Sequence, residues 1–316
     1  PTTSAPVATH HQTTHHRHLL PPIGRPTSHF MNRFIPFMKS PPTVSVLRLQ
    51  GIIAAQARGG ALNDAGLADL IQKEFTKGKP TAVALAINSP GGSPTQSSLI
   101  AARIRRLADE KGIKVYAFVE DVAASGGYYI ASACDYLIAH PSTLTGSIGV
   151  ISLFPNLEDL FEKVGVQVQV IKSGKLKDSG SVFRQMTQEE QDVFQKIIDE
   201  YHQNFQDIVY ESRKDFLSLE DLQKITDGRV LTASQALEAK LIDEIGYFDA
   251  ALKTILDFAS LPEAKVISYT YFPTRKTNIY ATNLRTENPL ENIGIQEVVQ
   301  SLKSGFYYLW HPQLNQ

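Results

Sequence analysis

The stretch TAVALAIN at residues 81–88 restricts the possible folds more than any other part of this chain. A nearly continuous apolar run of that length has no polar face to offer water, so it reads as a strand buried on both sides. Such strands belong to parallel sheets, and parallel neighbours must be joined by long crossovers, usually helices. The flanking sequence supplies them. DAGLADLIQKEFTKG is an amphipathic helix with an acidic N-cap at Asp64, and TQSSLIAARIRRLADEKG sets Leu99, Ile100, Ile104 and Leu107 on one helical face. TVSVLRLQG, KVYAFVE and CDYLIAHP are further strands, and TLTGSIGVIS is a glycine-punctuated turn and strand. The expected class is α/β, built of repeated βαβ units with a mainly parallel sheet flanked by helices.

The second half continues with a helix at NLEDLFEKVG and a strand at VQVQVIKSG. A long helix follows, opened by a Thr187–Glu190 capping box, and Thr232 and Gln235 form a second box. Past residue 262 the periodicity weakens, giving an extended segment and a short amphipathic helix over 293–310 that ends in GFYYLW. Three regions result: a His/Pro-rich leader at 1–42 with too little to bury, a folded domain at 43–262, and a C-terminal extension at 263–316.

Composition narrows the function. A formal net charge of −1 leaves no basic stripe for nucleic acid. The single cysteine, Cys134, excludes an internal disulfide framework and a multi-cysteine metal site, and its small-residue setting marks a buried structural thiol. No run reaches the roughly 18–20 apolar residues that span a bilayer. The expectation is a cytoplasmic protein or one peripheral to the membrane, with MNRFIPF or GFYYLW as candidate contacts.

The chemistry concentrates in EDVAASGGYYIASACD at 120–135. Ser125 sits between small alanines and two glycines at a helix start, where free N–H groups and the dipole favour negative charge. It is either a nucleophile or a helix cap. The turn in AINSPGGSP is a second glycine loop able to aim backbone N–H groups at a ligand, and its spacing is not that of a phosphate loop. Histidine is poor material for a base: His202 and His311 read as solvent-facing, and His140 ends a strand before Pro141. Lysine is the remaining option, with Lys172, Lys175 and Lys177 in IKSGKLKDSGS. A lysine serves as base only when burial or neighbours keep its amine neutral near pH 7.

INSPGG, AASGGYYIA, TGSIGV and SGKLKDSGS, in that order, together with GRVLTASQALEAKLIDEIG, resemble the signal peptide peptidase A family of serine-lysine peptidases in its single-repeat form. The resemblance covers about residues 43–262 and implies the Clp protease/crotonase-like fold. It implies Ser125 as nucleophile, Lys177 as general base, Ser147 as the hydroxyl that holds the lysine, and Gly92 and Gly126 as oxyanion donors. It further implies short extended peptides as substrates, cleaved signal peptides among them, no cofactor, and a ring-like homo-oligomer whose site is shared between protomers. The small residues around Ser125 suggest small or apolar side chains near the scissile bond. Two other readings stand beside it. One is a crotonase-like acyl-CoA enzyme relying on Glu120 and Asp121, and the other a non-catalytic assembly or membrane-partner scaffold.

Overall fold

The computed structural model describes residues 41–55, 61–269 and 305–309. Five of its strands, β1 (Thr43–Gln50), β2 (Ala82–Ser89), β4 (Lys114–Ala124), β5 (Tyr136–Ala139) and β9 (Glu244–Ile245), are joined at one edge by β10 (Lys265–Ile267). They form a sheet in the order β10-β1-β2-β4-β5-β9, with every neighbouring pair parallel. The α/β class and the βαβ construction expected from the sequence are therefore present. The sheet continues past residue 262, because β10 pairs with β1 through Thr43↔Lys265.

The apolar run of β2 divides by alternation. Val83, Leu85 and Ile87 pack into the larger core, with Ile71 and Phe75 of α1 (Asp64–Thr76) and Ile100, Ile104 and Leu107 of α2 (Pro94–Lys111). Ala82, Ala84 and Ala86 face the other side, where Phe248, Leu252 and Ile255 of α8 (Phe248–Phe258) cover the sheet. Residues as small as alanine on that face let a helix lie close against the strands.

Several local expectations need correcting. The N-cap of α1 is Asn63, whose side chain accepts from the Gly66 N–H; Asp64 instead pairs with Arg103 at 2.6 Å. Leu99 is 44% exposed while Ile100, Ile104 and Leu107 are buried, because one residue of helix turns it about 100° off the stripe. The strand read at KVYAFVE runs on through residues 121–124 to the residue before Ser125. VQVQVIK forms no strand: its valines are 44–49% exposed and find no strand partner among the described residues. Residues 305–309 are strand β11 rather than helix. The leader lies outside the described residues.

Residues 149–204 form an arm that carries α4 (Glu158–Lys163) and the first half of α5 (Gln188–Arg213), and none of its apolar side chains is fully buried. Only the C-terminal half of α5 enters the core, through Phe205, Val209 and Arg213. The Arg213 guanidinium donates to Asp243 at 2.7 Å and to the Leu241 carbonyl at 2.8 Å. Both capping boxes form as read, at Thr187–Glu190 and at Thr232–Gln235, where α7 (Ala233–Glu238) begins.

The split of the α2 face can be checked by denaturant unfolding. Ile104→Ala should lose about 2–5 kcal/mol through transfer and cavity terms. Leu99→Ala, on the exposed side, should stay within about 0.5 kcal/mol of wild type.

Candidate active site

Strand β4 delivers the chain straight into Ser125, and α3 (Gly126–Ala131) starts at the next residue. Ser125 occupies the N-cap position, yet its side chain makes no capping hydrogen bond. The contrast within this chain is direct. Asn63, Ser93, Thr187, Ser218 and Thr232 each accept a backbone N–H at the head of their helices. Of the two roles open to Ser125, capping is not performed. Its backbone is also unusual, with φ 53° and ψ −118°. A non-glycine residue at positive φ costs on the order of 1–3 kcal/mol and persists only where its surroundings enforce it. Here the Ser125 N–H donates to the Gly146 carbonyl at 2.8 Å, and the Tyr129 N–H donates to the Ser125 carbonyl at 2.9 Å.

The acceptor of that first bond ends β6 (Leu144–Gly146), which runs parallel to the last residues of β4 with Ala124 opposite Gly146. The register places Ser147 beside Ser125 at the ends of adjacent strands. Both serines are buried and both have positive φ, 50° and 53°. Ser147 is held by its own N–H donating to the Arg229 carbonyl at 2.8 Å.

The second glycine loop closes on the first. After Pro90 the short strand β3 (Gly91–Gly92) is pinned by Ile53, whose N–H donates to Gly91 and whose carbonyl accepts from Ser93, each at 2.8 Å. Gly92 has φ 147°, and a Cβ there would run into the Ile53 carbonyl. A Cβ on Gly126 would collide with Ser97 Oγ and lie 3.3 Å from the Gly92 nitrogen. The Gly126 N–H is in the first turn of α3 and so has no acceptor within the helix. Ser125, Ser147, Gly92 and Gly126 are thus assembled at one place.

Lys177 is not among them. It is exposed, in a turn of the arm where its N–H donates to the Gly174 carbonyl at 3.1 Å, and no hydrogen bond joins it to Ser125, which is 1% exposed. Its two neighbours are engaged: Lys172 pairs with Asp178 at 2.5 Å and Lys175 pairs with Glu189. Among the described residues Lys177 enters no ion pair.

The sequence reading missed a further feature of this site. Strand β11 (Gly305–Leu309) lies antiparallel between β3 and β7 (Ile151–Leu153), with Tyr308 opposite Gly92 and Leu309 opposite Gly91. The chain's own C-terminal segment therefore pairs with the glycine loop beside Ser125. Tyr308 is buried, 5.8 Å from the Tyr129 ring and 4.8 Å from that of Phe205, and its hydroxyl donates to the Tyr201 carbonyl at 2.6 Å. The aromatic run GFYYLW was the available signal, but its spacing suits helix and strand alike.

The remaining candidates are accounted for. His202 is half-buried rather than solvent-facing, with Nε2 2.7 Å from the Thr226 carbonyl. His140 accepts from the Ser142 N–H at 3.2 Å and stands edge-on to Tyr247. His311 lies outside the described residues. Glu120 is tied to Arg48 at 2.5 Å and Asp121 accepts from Asn88 at 2.6 Å. Cys134 is buried, and desolvation pushes its thiol well above the ordinary range. The described residues contain no cluster able to hold a metal ion and no helix long and apolar enough to cross a membrane.

Residues 108–261 match the pattern described as Peptidase family S49. The chain is 37% identical over 223 residues to slr0021 of Synechocystis sp., provisionally named a protease, covering 71% of this chain and 76% of that protein. The chain belongs to peptidase family S49. With membership comes its class, serine peptidase of the signal peptide peptidase A type. Protease 4 of Haemophilus influenzae is 33% identical over 67% of this chain, and the chloroplastic serine protease SPPA of Arabidopsis thaliana 32% identical over 71%. The chain spans only about a third of those two relatives, 34% and 32% of their lengths.

The interlock of the two glycine turns makes a stability prediction. Gly126→Ala should destabilise by about 1–3 kcal/mol through overpacking. Adding Ser97→Ala, which removes the atom the new Cβ meets, should restore part of the loss in thermal unfolding.

Proposed function

We propose that this S49 member is an endopeptidase in which Ser125 is the nucleophile and Lys177 the general base. The observation that carries the reading is Ser125 itself: strained, buried, released from capping, and set between two glycine turns. Lys177 is favoured over Lys172 and Lys175 because a base must be free of a carboxylate partner, and those two are not.

The chemistry follows from those positions. The neutral Lys177 amine takes the Ser125 proton as Oγ bonds to the peptide carbonyl carbon. The carbonyl electrons move onto oxygen, where the Gly92 and Gly126 N–H groups stabilise them. Collapse of the adduct breaks the C–N bond, and the Lys177 ammonium gives its proton to the departing amine. Water, deprotonated by the same lysine, then attacks the acyl carbon, the C–Oγ bond breaks, and the Lys177 ammonium returns a proton to Ser125 Oγ. Ser147, beside Ser125, orients the lysine amine.

Substrates would be short extended peptides, cleaved signal peptides among them, lying antiparallel to β3 along the track that β11 occupies. Main-chain pairing to a sheet edge is a general mode of peptide capture, with pockets for alternate side chains. A partner protomer is part of the reading. Within one chain Lys177 and Ser125 are on different parts of the fold, and the arm exposes Leu160, Val164, Val166, Val168, Val170 and Ile171. A second copy would cover that apolar surface and bring a lysine to a serine.

An active-site serine acylator should label wild type and fail on Ser125→Ala. Ser125→Ala and Lys177→Ala should each lose cleavage of a fluorogenic peptide by about 10³-fold or more. Mixing the two inactive variants should recover part of the activity if serine and lysine come from different protomers. Equal cleavage by both single variants and wild type would sink the proposal. For wild type, kcat/KM should rise with pH, since only the unprotonated amine acts.

Deleting 305–316 should lower KM for a short peptide with little change in kcat, because the track at β3 is then open. An unchanged KM would show that peptide and β11 do not compete.

A further inference from the structure

The turn that carries Lys177 has almost no apolar anchorage, yet it is tightly organised by charge. Arg184 Nε donates to Asp178 Oδ2 at 3.0 Å, and Arg184 Nη2 lies 3.0 Å from Asp178 Oδ1. The far side of the same guanidinium grips Glu190, with Nη1 at 2.9 Å and Nη2 at 2.5 Å from its two carboxylate oxygens. Glu190 is buried at the head of α5, where it also accepts from the Thr187 N–H at 2.8 Å. Asp178 immediately follows Lys177 in the chain. The planar fork of one arginine therefore fastens the lysine-bearing turn to the first turn of a 26-residue helix.

We propose that Arg184 is a positioning residue for the peptidase reaction, clamping Asp178 to Glu190 so that the turn presents Lys177 in one geometry. The inference rests on the assignment of Lys177 as base. Three features favour a clamp for this turn over a general surface ion pair. Both carboxylates are largely withdrawn from water, with side chains 13% and 2% exposed. The guanidinium holds the Asp178 carboxyl far below the usual range and Glu190 down to about 2, so the clamp stays charged at neutral and alkaline pH. The Asp178 charge is also shared with Lys172. The carboxylate next to the base is thereby matched by two cations, and its pull on the Lys177 ammonium is offset. The charged groups around the turn are Lys172, Lys175, Asp178, Arg184, Glu189 and Glu190.

The test uses the full chain, with assembly state followed by light scattering at the assay concentration. Arg184→Gln should lower kcat about 10- to 100-fold, the scale of a misplaced catalytic group, with KM within about twofold. Its pH–rate limb should move to higher pH, since an unmatched Asp178 carboxylate favours the ammonium. Arg184→Lys keeps the charge without the fork: the limb should return toward wild type while kcat stays low. Arg184→Gln with Asp178→Asn should likewise restore the limb and leave kcat low. Wild-type kcat in Arg184→Gln, or a loss of kcat that only tracks a loss of assembled protein, overturns the inference while Lys177→Ala remains inactive. Full activity in Lys177→Ala overturns the base assignment, and this inference falls with it.

Discussion

The site depends on the approach of two backbones that no side chain may separate. A Cβ on Gly91 in β3 would lie 2.6 Å from the Gly126 nitrogen at the start of α3, and one on Gly92, Gly126 or Gly127 would meet Ile53, Ser97 or Ser89, so the two turns and their surroundings leave no room for a side chain. This contact keeps the start of α3 against the sheet and sets where β4 must end. The strain at Ser125 is then a consequence. Its φ and ψ are dictated by the hydrogen bond to Gly146 on one side and the first helical bond of α3 on the other. Strain of this kind survives only in a rigid frame, and β4 provides one, pairing with β2 through most of its length and with β5 and β6 on the other edge.

The same frame explains how much could be read from sequence. Elements buried on both faces or ended by a cap announce themselves. TAVALAIN, the α2 stripe from Ile100 to Leu107 and both capping boxes all appear where the residues place them. The glycine turns were legible for a related reason, since close backbone approach leaves few residue types to choose from. Errors arose where local pattern and tertiary partner disagree. VQVQVIK alternates as a strand should, but alternation forms a strand only when another strand pairs with it. GFYYLW looked like an amphipathic end because β11 pairs with segments more than 150 residues away in sequence, near Leu153 and Gly92. Whether Ser125 caps its helix was beyond sequence altogether, since both roles use the same residue at the same position.

The two proposed halves of the chemistry rest on different physics. Ser125 is embedded in the main core, next to residues such as Tyr128 and Ala123 that expose nothing to water. Lys177 belongs to an arm without a buried apolar side chain, held by the Arg184 network and by aromatic pairs such as Phe154–Phe194 at 4.3 Å and Phe161–Phe183 at 5.1 Å. A core fixes geometry through packing, whereas this arm is fixed by charged hydrogen bonds in which one guanidinium holds Asp178 to Glu190. The nucleophile must keep a strained conformation before substrate arrives, so it needs the core. A base proposed to meet its serine across two protomers, and to exchange protons with solvent, is better served by the arm. On this reading the arm's exposed valines and leucines are the surface through which the second half of the site is delivered.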